Sequence, residues 1–171
     1  MSEVDNRLRS FFDEPVGLAF IQAVRQTVEM YFGERPIMTR PVITKDLQVG
    51  YDVAGVINFT SLDVEGSMVI AFRREFILKI YAHMLGESAT DITPEVEDCV
   101  GELTNTIYGL AKAPLVDQGY RFPMGLPQVL RQVNKEFEAS KCLELPFRFD
   151  SDKELSLVLV VKKLVKQAQS A

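Results

Sequence analysis

The sequence predicts an α+β domain, a mostly antiparallel sheet with helices packed on it, in the order α-βββ-αα-ββ. Three observations carry this expectation. Apolar residues recur at helical spacing in three segments, while β-branched and aromatic residues crowd the segments between them. Neighbouring strand-like segments are joined by short polar turns, as in hairpins. Of the 171 residues, 47% are hydrophobic, which suffices for one sizeable core, and the length leaves little room for a second.

The elements follow in order. Residues 1–13 are polar and read as a flexible lead-in to a single domain over 14–165, with 166–171 as a polar tail. Residues 14–32 place Leu18, Ile21, Val24, Val28 and Phe32 at helical spacing, and Gly33 is a natural stop. Residues 37–46 read as a strand in which Pro41 argues for an edge or a bend. Residues 49–60 and 64–72 form a hairpin across the turn Ser61-Leu62-Asp63. Helical spacing returns over 73–85 and ends at Gly86. Thr93 caps the central helix, with Pro94 at its first position and Glu95 and Glu97 in its first turn. Pro114 should end or kink that helix near Ala113. Residues 119–136 read as a connection rich in proline and glycine, followed by strands over 139–149 and 154–164. Isolated glycines at 50, 55, 66 and 86 suit turns, bulges and helix stops.

Charge and composition exclude several classes. A net charge of −5 offers no electrostatic footprint for nucleic acid or for an anionic membrane, and favours a partner with a basic patch. No apolar run approaches the ~18 residues of a membrane span, and the N-terminus lacks the apolar core of a signal peptide. The expectation is a cytoplasmic protein without membrane insertion. Cys99 and Cys142 have no metal spacing and read as reduced, partly buried thiols. The one histidine, His83, lies on an amphipathic helix and suits a structural or surface role. No phosphate-binding loop, dinucleotide fingerprint or nucleophile elbow is present. The acids Asp91, Glu95, Glu97 and Asp98 could be imagined as a cation site, but favourable charge at a helix N-terminus explains most of them.

What remains is the central helix, residues 97–112, EDCVGELTNTIYGLAK. At ~100° per residue, Val96, Val100, Leu103, Ile107 and Leu110 fall in one arc, the expected buried stripe. The opposite arc holds Asp98, Gly101, Glu102, Asn105, Gly109 and Lys112. Glu102 and Asn105 are three residues apart and therefore neighbours. Two interior glycines cost a helix roughly 1 kcal/mol each relative to alanine. The face suits a close approach by something else, and it also fits an ordinary solvated face with two poor helix formers. A carboxamide cannot act as base or nucleophile, but it can hold a water in line with an electrophile. A carboxylate one turn away could hold a partner's lysine. Such a pair would be half an active site, completed by a second protein.

Glu102-x-x-Asn105 followed by Gly109 resembles the motif of the CheC, CheX and FliY family of chemotaxis phosphatases. The upstream hairpin Gly55–Phe72, the helix ending His83-Met84-Leu85-Gly86, and the P-x-x-L of Pro127 to Leu130 extend the resemblance over about residues 15–165. It points to the CheX branch, because CheC-type members carry a second E-x-x-N. Glu14 and Glu29 on the first helix have no asparagine three residues on.

The resemblance implies a CheC/CheX-like fold and dephosphorylation of the aspartyl phosphate on a CheY-like receiver domain. Asn105 would position the attacking water and Glu102 would pair with a receiver lysine. Asp98, Gly101, Gly109 and Lys112 would form the docking face around them, with the glycines keeping it open. The chain would need no metal or cofactor of its own, Mg²⁺ being supplied by the receiver. A homodimer formed by pairing sheet edges is also implied. The alternative is a non-catalytic receiver-binding or flagellar-switch-like structural module.

Overall fold

The N-terminal helical periodicity gives helix α1, Pro15–Phe32, in the computed structural model, which describes residues 15–44, 51–60, 64–131, 142–149 and 155–164. Ile21, Val24 and Val28 are buried as expected and Phe32 packs against the core, so Leu18 is the one residue of the expected stripe that is not. Val16, Phe20, Val24 and Val28 face the core, while Leu18 is exposed. Gly33, at φ 86°, ends the helix in the left-handed region, and its N–H donates to the Glu29 carbonyl at 2.9 Å.

The expected strand over 37–46 is split into β1, Ile37–Met38, and β2, Val42–Thr44. Both pair with one strand, β6, Cys142–Arg148. Met38 faces Phe147 and Val42 faces Glu144, so four steps on one side match three on the other. Pro41, which lacks an N–H, falls in this bulge at the sheet edge. Strands β3, Val53–Thr60, and β4, Val64–Phe72, form the expected hairpin, from Val53↔Phe72 to Thr60↔Glu65. The first of them starts later than the expected 49. Strand β7, Leu155–Leu164, lies between β4 and β6, with an irregularity at Glu65/Gly66 where the sequence offers a glycine. The sheet order is β1-β6-β7-β4-β3-β5, where β5 is Gln128–Leu130, with β2 also on β6, and every strand pairing among the described residues is antiparallel. The lead-in, the turns at 61–63 and 150–153, and the tail lie outside the described residues.

Two further features differ from expectation. Helix α3, Pro94–Asp117, runs past Pro114. Proline removes one helical hydrogen bond, but here only the last turn follows it. Buried Leu115 anchors that turn, and its carbonyl accepts from Tyr120 N at 2.9 Å. The connection after α3 also contains a short strand, β5, Gln128–Leu130, paired with β3 at Val56–Ala54. Three residues with a proline before them give too short a signal for a strand expectation.

Helices α1, α2 (Arg74–Leu85) and α3 cover one face of the sheet. Val53, Ile57 and Phe59 of β3 and Met68, Ile70 and Phe72 of β4 meet them there. Gly55 lies on that same face. A Cβ on it would stand 1.8 Å from Thr104 Oγ1, so the glycine is what lets α3 press onto β3. Its role is close approach, not the turn, bulge or stop expected. The other face carries Ala54, Val56, Val69, Ala71, Cys142 and Val158. Glu144 is also fully buried, and its Oε1 accepts from Ser156 at 2.9 Å and from the Tyr51 hydroxyl at 3.3 Å.

Candidate functional site

Helix α3 begins as the sequence requires. The Thr93 side chain accepts from Val96 N, Pro94 sits in the first turn, and Glu95 and Glu97 follow. The Glu95 carboxyl is held below its ordinary range by the helix-start hydrogen bonds, first from its own backbone and then from Thr93. Arg131, just beyond β5, bonds both the Glu97 carboxylate and the Ile92 carbonyl and so ties the helix start to the sheet edge. Arg74 pairs with Asp91 at 3.4 Å. Of Asp91, Glu95, Glu97 and Asp98, two therefore have arginine partners, Asp91 and Glu97.

The stripe Val96, Val100, Leu103 and Ile107 is buried, as expected, and Leu110 packs against the core half-buried. Glu102 and Asn105 are exposed on the opposite side. Neither makes a hydrogen bond or ion pair within the described residues. Asp98 and Gly109 are exposed beside them, and Gly101 is half-covered. Gly101 and Gly109 are four residues before and after Asn105, so they are its neighbours along the helix surface.

Internal packing does not require either glycine. A Cβ on Gly109 would meet nothing within 4 Å, and one on Gly101 would stand 3.8 Å from Val129 Cγ2, an ordinary contact. Neither has a positive φ. The Lys112 ammonium lies 5.6 Å from the Tyr108 ring centre, so it folds back along the helix.

The site rests on a rigid base. Thr104 Oγ1 donates back to the Val100 carbonyl at 2.6 Å directly above Gly55. Tyr108 stacks on Phe59 and donates to the Pro123 carbonyl at 2.7 Å. Burial pushes the Tyr108 hydroxyl far up, so it remains a donor. Cys99, beneath Glu102, is pushed up to about 11, mainly by burial and further by the Glu102 charge. Its Sγ lies 3.4 Å from Met84 Sδ. It is an inert core thiol and not a nucleophile. His83 is exposed, with its ring edge-on to Phe32 at 5.0 Å. Among the described residues, no three His, Cys, Asp or Glu side chains gather as a metal site would need, and no helix is long and apolar enough to cross a membrane.

Sequence reasoning missed the segment beside this helix. Phe122 is buried against Phe20 and Phe59. Gly125 sits so close to β3 that a Cβ would stand 2.3 Å from Ile57 Cγ2. Met124 and Leu126 point outward. A lone glycine between two prolines signals only a loop, and its packing role is invisible without the strand beneath it.

Residues 53–148 match the family described as chemotaxis phosphatase CheX, which is more than half the chain. The chain belongs to the CheX family. A relative named CheY-P phosphatase CheX, from Thermotoga maritima, is 25% identical over 146 residues, covering 84% of this chain and 94% of that protein. The structure of the chemotaxis protein CheX from Vibrio vulnificus superposes with a TM-score of 0.75 at 26% identity, over 86% of this chain and 99% of that one. The CheX chain in the CheX-CheY-BeF3-Mg complex from Borrelia burgdorferi shares the fold at a TM-score of 0.71 and 20% identity, over 85% and 97% of the two chains. The CheC/CheX-like fold class expected from the sequence is therefore the one observed.

Proposed function

We propose that this CheX family member hydrolyses the aspartyl phosphate of a phosphorylated CheY-like receiver domain. The observation that carries the reading is the pair Glu102 and Asn105, exposed and unpartnered one turn apart, between glycines that the fold does not require. The names of the Thermotoga and Borrelia relatives supply the partner class. The α3 face docks over the receiver's phosphorylation site. The Asn105 carboxamide oxygen accepts a hydrogen bond from a water and holds it in line with phosphorus. Water oxygen bonds to phosphorus, the bond from phosphorus to the aspartyl oxygen breaks, and the products are inorganic phosphate and the free carboxylate. Glu102 pairs with a receiver lysine and sets the orientation. Mg²⁺ is the receiver's own and offsets phosphoryl charge there; this chain contributes positioning alone.

Single-turnover phosphate release from a phosphorylated receiver tests this. Asn105→Ala should slow release roughly a hundredfold or more while the fold is retained, since losing the position of a nucleophile costs rate and an exposed asparagine contributes little stability. Circular dichroism is the fold control. A folded Asn105→Ala protein working at the wild-type rate would make the chain a receiver-binding module without catalysis.

A further inference from the structure

The most exposed large apolar side chains among the described residues are Met124 and Leu126, at 88% and 84%. They do not lie on a frayed segment. Phe122 and Gly125 are wedged into the core on either side of Met124, the Pro123 carbonyl is held by Tyr108, and Gln128–Leu130 pairs with β3. A fixed backbone thus holds two apolar side chains in water.

Their position is informative. Pro123 lies against Tyr108 and Val129 lies against Gly101, so the segment runs antiparallel to α3 between those residues. On the helix, Tyr108 and Gly101 lie ~20° apart, and Asn105 lies ~40° beyond Gly101 on the exposed side. The segment that carries Met124 and Leu126 is therefore a wall beside the Asn105 edge of the helix, with Glu102 on the far side. The face itself has little to grip with: two glycines, an asparagine and two acids. A specific interface needs roughly 800 Å² from each partner, with an apolar centre. Phe122 to Leu130 carries no charge, in contrast to the acids on α3.

We propose that Met124 and Leu126 are a second, apolar docking element for the receiver, gripping an apolar patch beside its phosphorylation site. This rests on the proposed phosphatase reading. The division of labour is that Glu102 provides the salt-sensitive contact, Asn105 the chemistry, and the wall most of the affinity.

The test uses the full chain and a receiver charged with Mg²⁺ and beryllofluoride, a phosphoryl mimic. The variant is Met124→Ser with Leu126→Ser, both too exposed to disturb the core. Expected is a 10- to 100-fold rise in Kd and in KM for dephosphorylation, a much smaller change in kcat, and a salt dependence parallel to wild type. Glu102→Gln should instead flatten the salt dependence. Unchanged Kd alongside an active wild type overturns the wall and leaves the phosphatase reading standing. So does a loss of kcat without loss of affinity, or a change confined to self-association in light scattering. If wild type neither binds nor dephosphorylates any receiver, the phosphatase reading fails and the wall fails with it.

Discussion

Replacing Gly101 and Gly109 with alanine should make this protein more stable and less active. Both glycines lie inside a helix that runs from Pro94 to Asp117, and neither is in a conformation alanine avoids. The new methyl at 109 would enter open space, and the one at 101 would touch Val129 at an ordinary distance. Each exchange should then contribute the full helix propensity difference, about 1 kcal/mol. The sites are eight residues apart, or ~12 Å along the axis, so the effects should add to about 2 kcal/mol. For a domain of this size that is roughly 4–8 °C in Tm. Urea unfolding at unchanged m-value measures the stability.

The same methyls flank Asn105 one turn before and one turn after. A receiver seated on the helix backbone would be lifted, and a displacement of ~1 Å at the reacting water costs on the order of a hundredfold in rate. So kcat/KM should fall at least tenfold in the more stable protein. If the double variant is destabilised, the glycines serve the fold and the argument from space is wrong. If it is stabilised and fully active, nothing approaches this face closely and the docking reading fails.

Further outcomes follow from other contacts. Gly55→Ala places a methyl inside Thr104 and should cost about 1–3 kcal/mol, partly restored in the Gly55→Ala, Thr104→Ala pair, as a urea double-mutant cycle would show. Burial, with Glu144 nearby, pushes Tyr51 up to about 12, and burial pushes Cys99 to about 11. Both are held neutral by the fold, so their contribution is complete below about pH 9 and is lost as pH rises from about 9 to 12. Tyr51→Phe should flatten the alkaline limb of stability against pH, measured by urea titration. Asn105→Gln keeps the carboxamide but moves it one methylene outward. It should lose on the order of a hundredfold in single-turnover rate if position is what counts, and little if any amide suffices.

The helices and the central hairpin were legible because their periodicity is long and unbroken. The stripe from Val96 to Ile107 repeats over several turns, and tertiary packing had no reason to override it. Errors arose where a local rule met a non-local contact. Pro114 reads as a helix end, yet one buried leucine beyond it keeps the last turn in place. Leu18 reads as core, but the line through Val16 and Phe20 is the one packed inward, chiefly against α3, and that turns Leu18 outward. Strand β5 exists because β3 offers an edge to three residues that would not be strand alone. For the site, Glu102 and Asn105 were identifiable as an odd surface on a good helix. Met124 and Leu126 were not, because exposure in a loop becomes informative only when the loop is seen to be pinned.

On the proposed reading, that pinning is what lets an unpartnered asparagine serve a reaction. A side chain free in water gains rate for a partner's chemistry only if its backbone does not move when the partner arrives. Here α3 is held at three heights. Arg131 holds its start, the Gly55 gap receives Thr104 at its middle, and Tyr108 is clamped between Phe59 and Pro123. Asn105 is one residue from the closest of these contacts and points ~100° around the helix from it, into water. Leaving its amide unpaired costs little in water, whereas pairing it inside the protein would occupy the groups a nucleophilic water needs. The rigidity and the openness sit on adjoining sides of the helix, which is the arrangement the proposed function asks of a surface that completes another protein's active site.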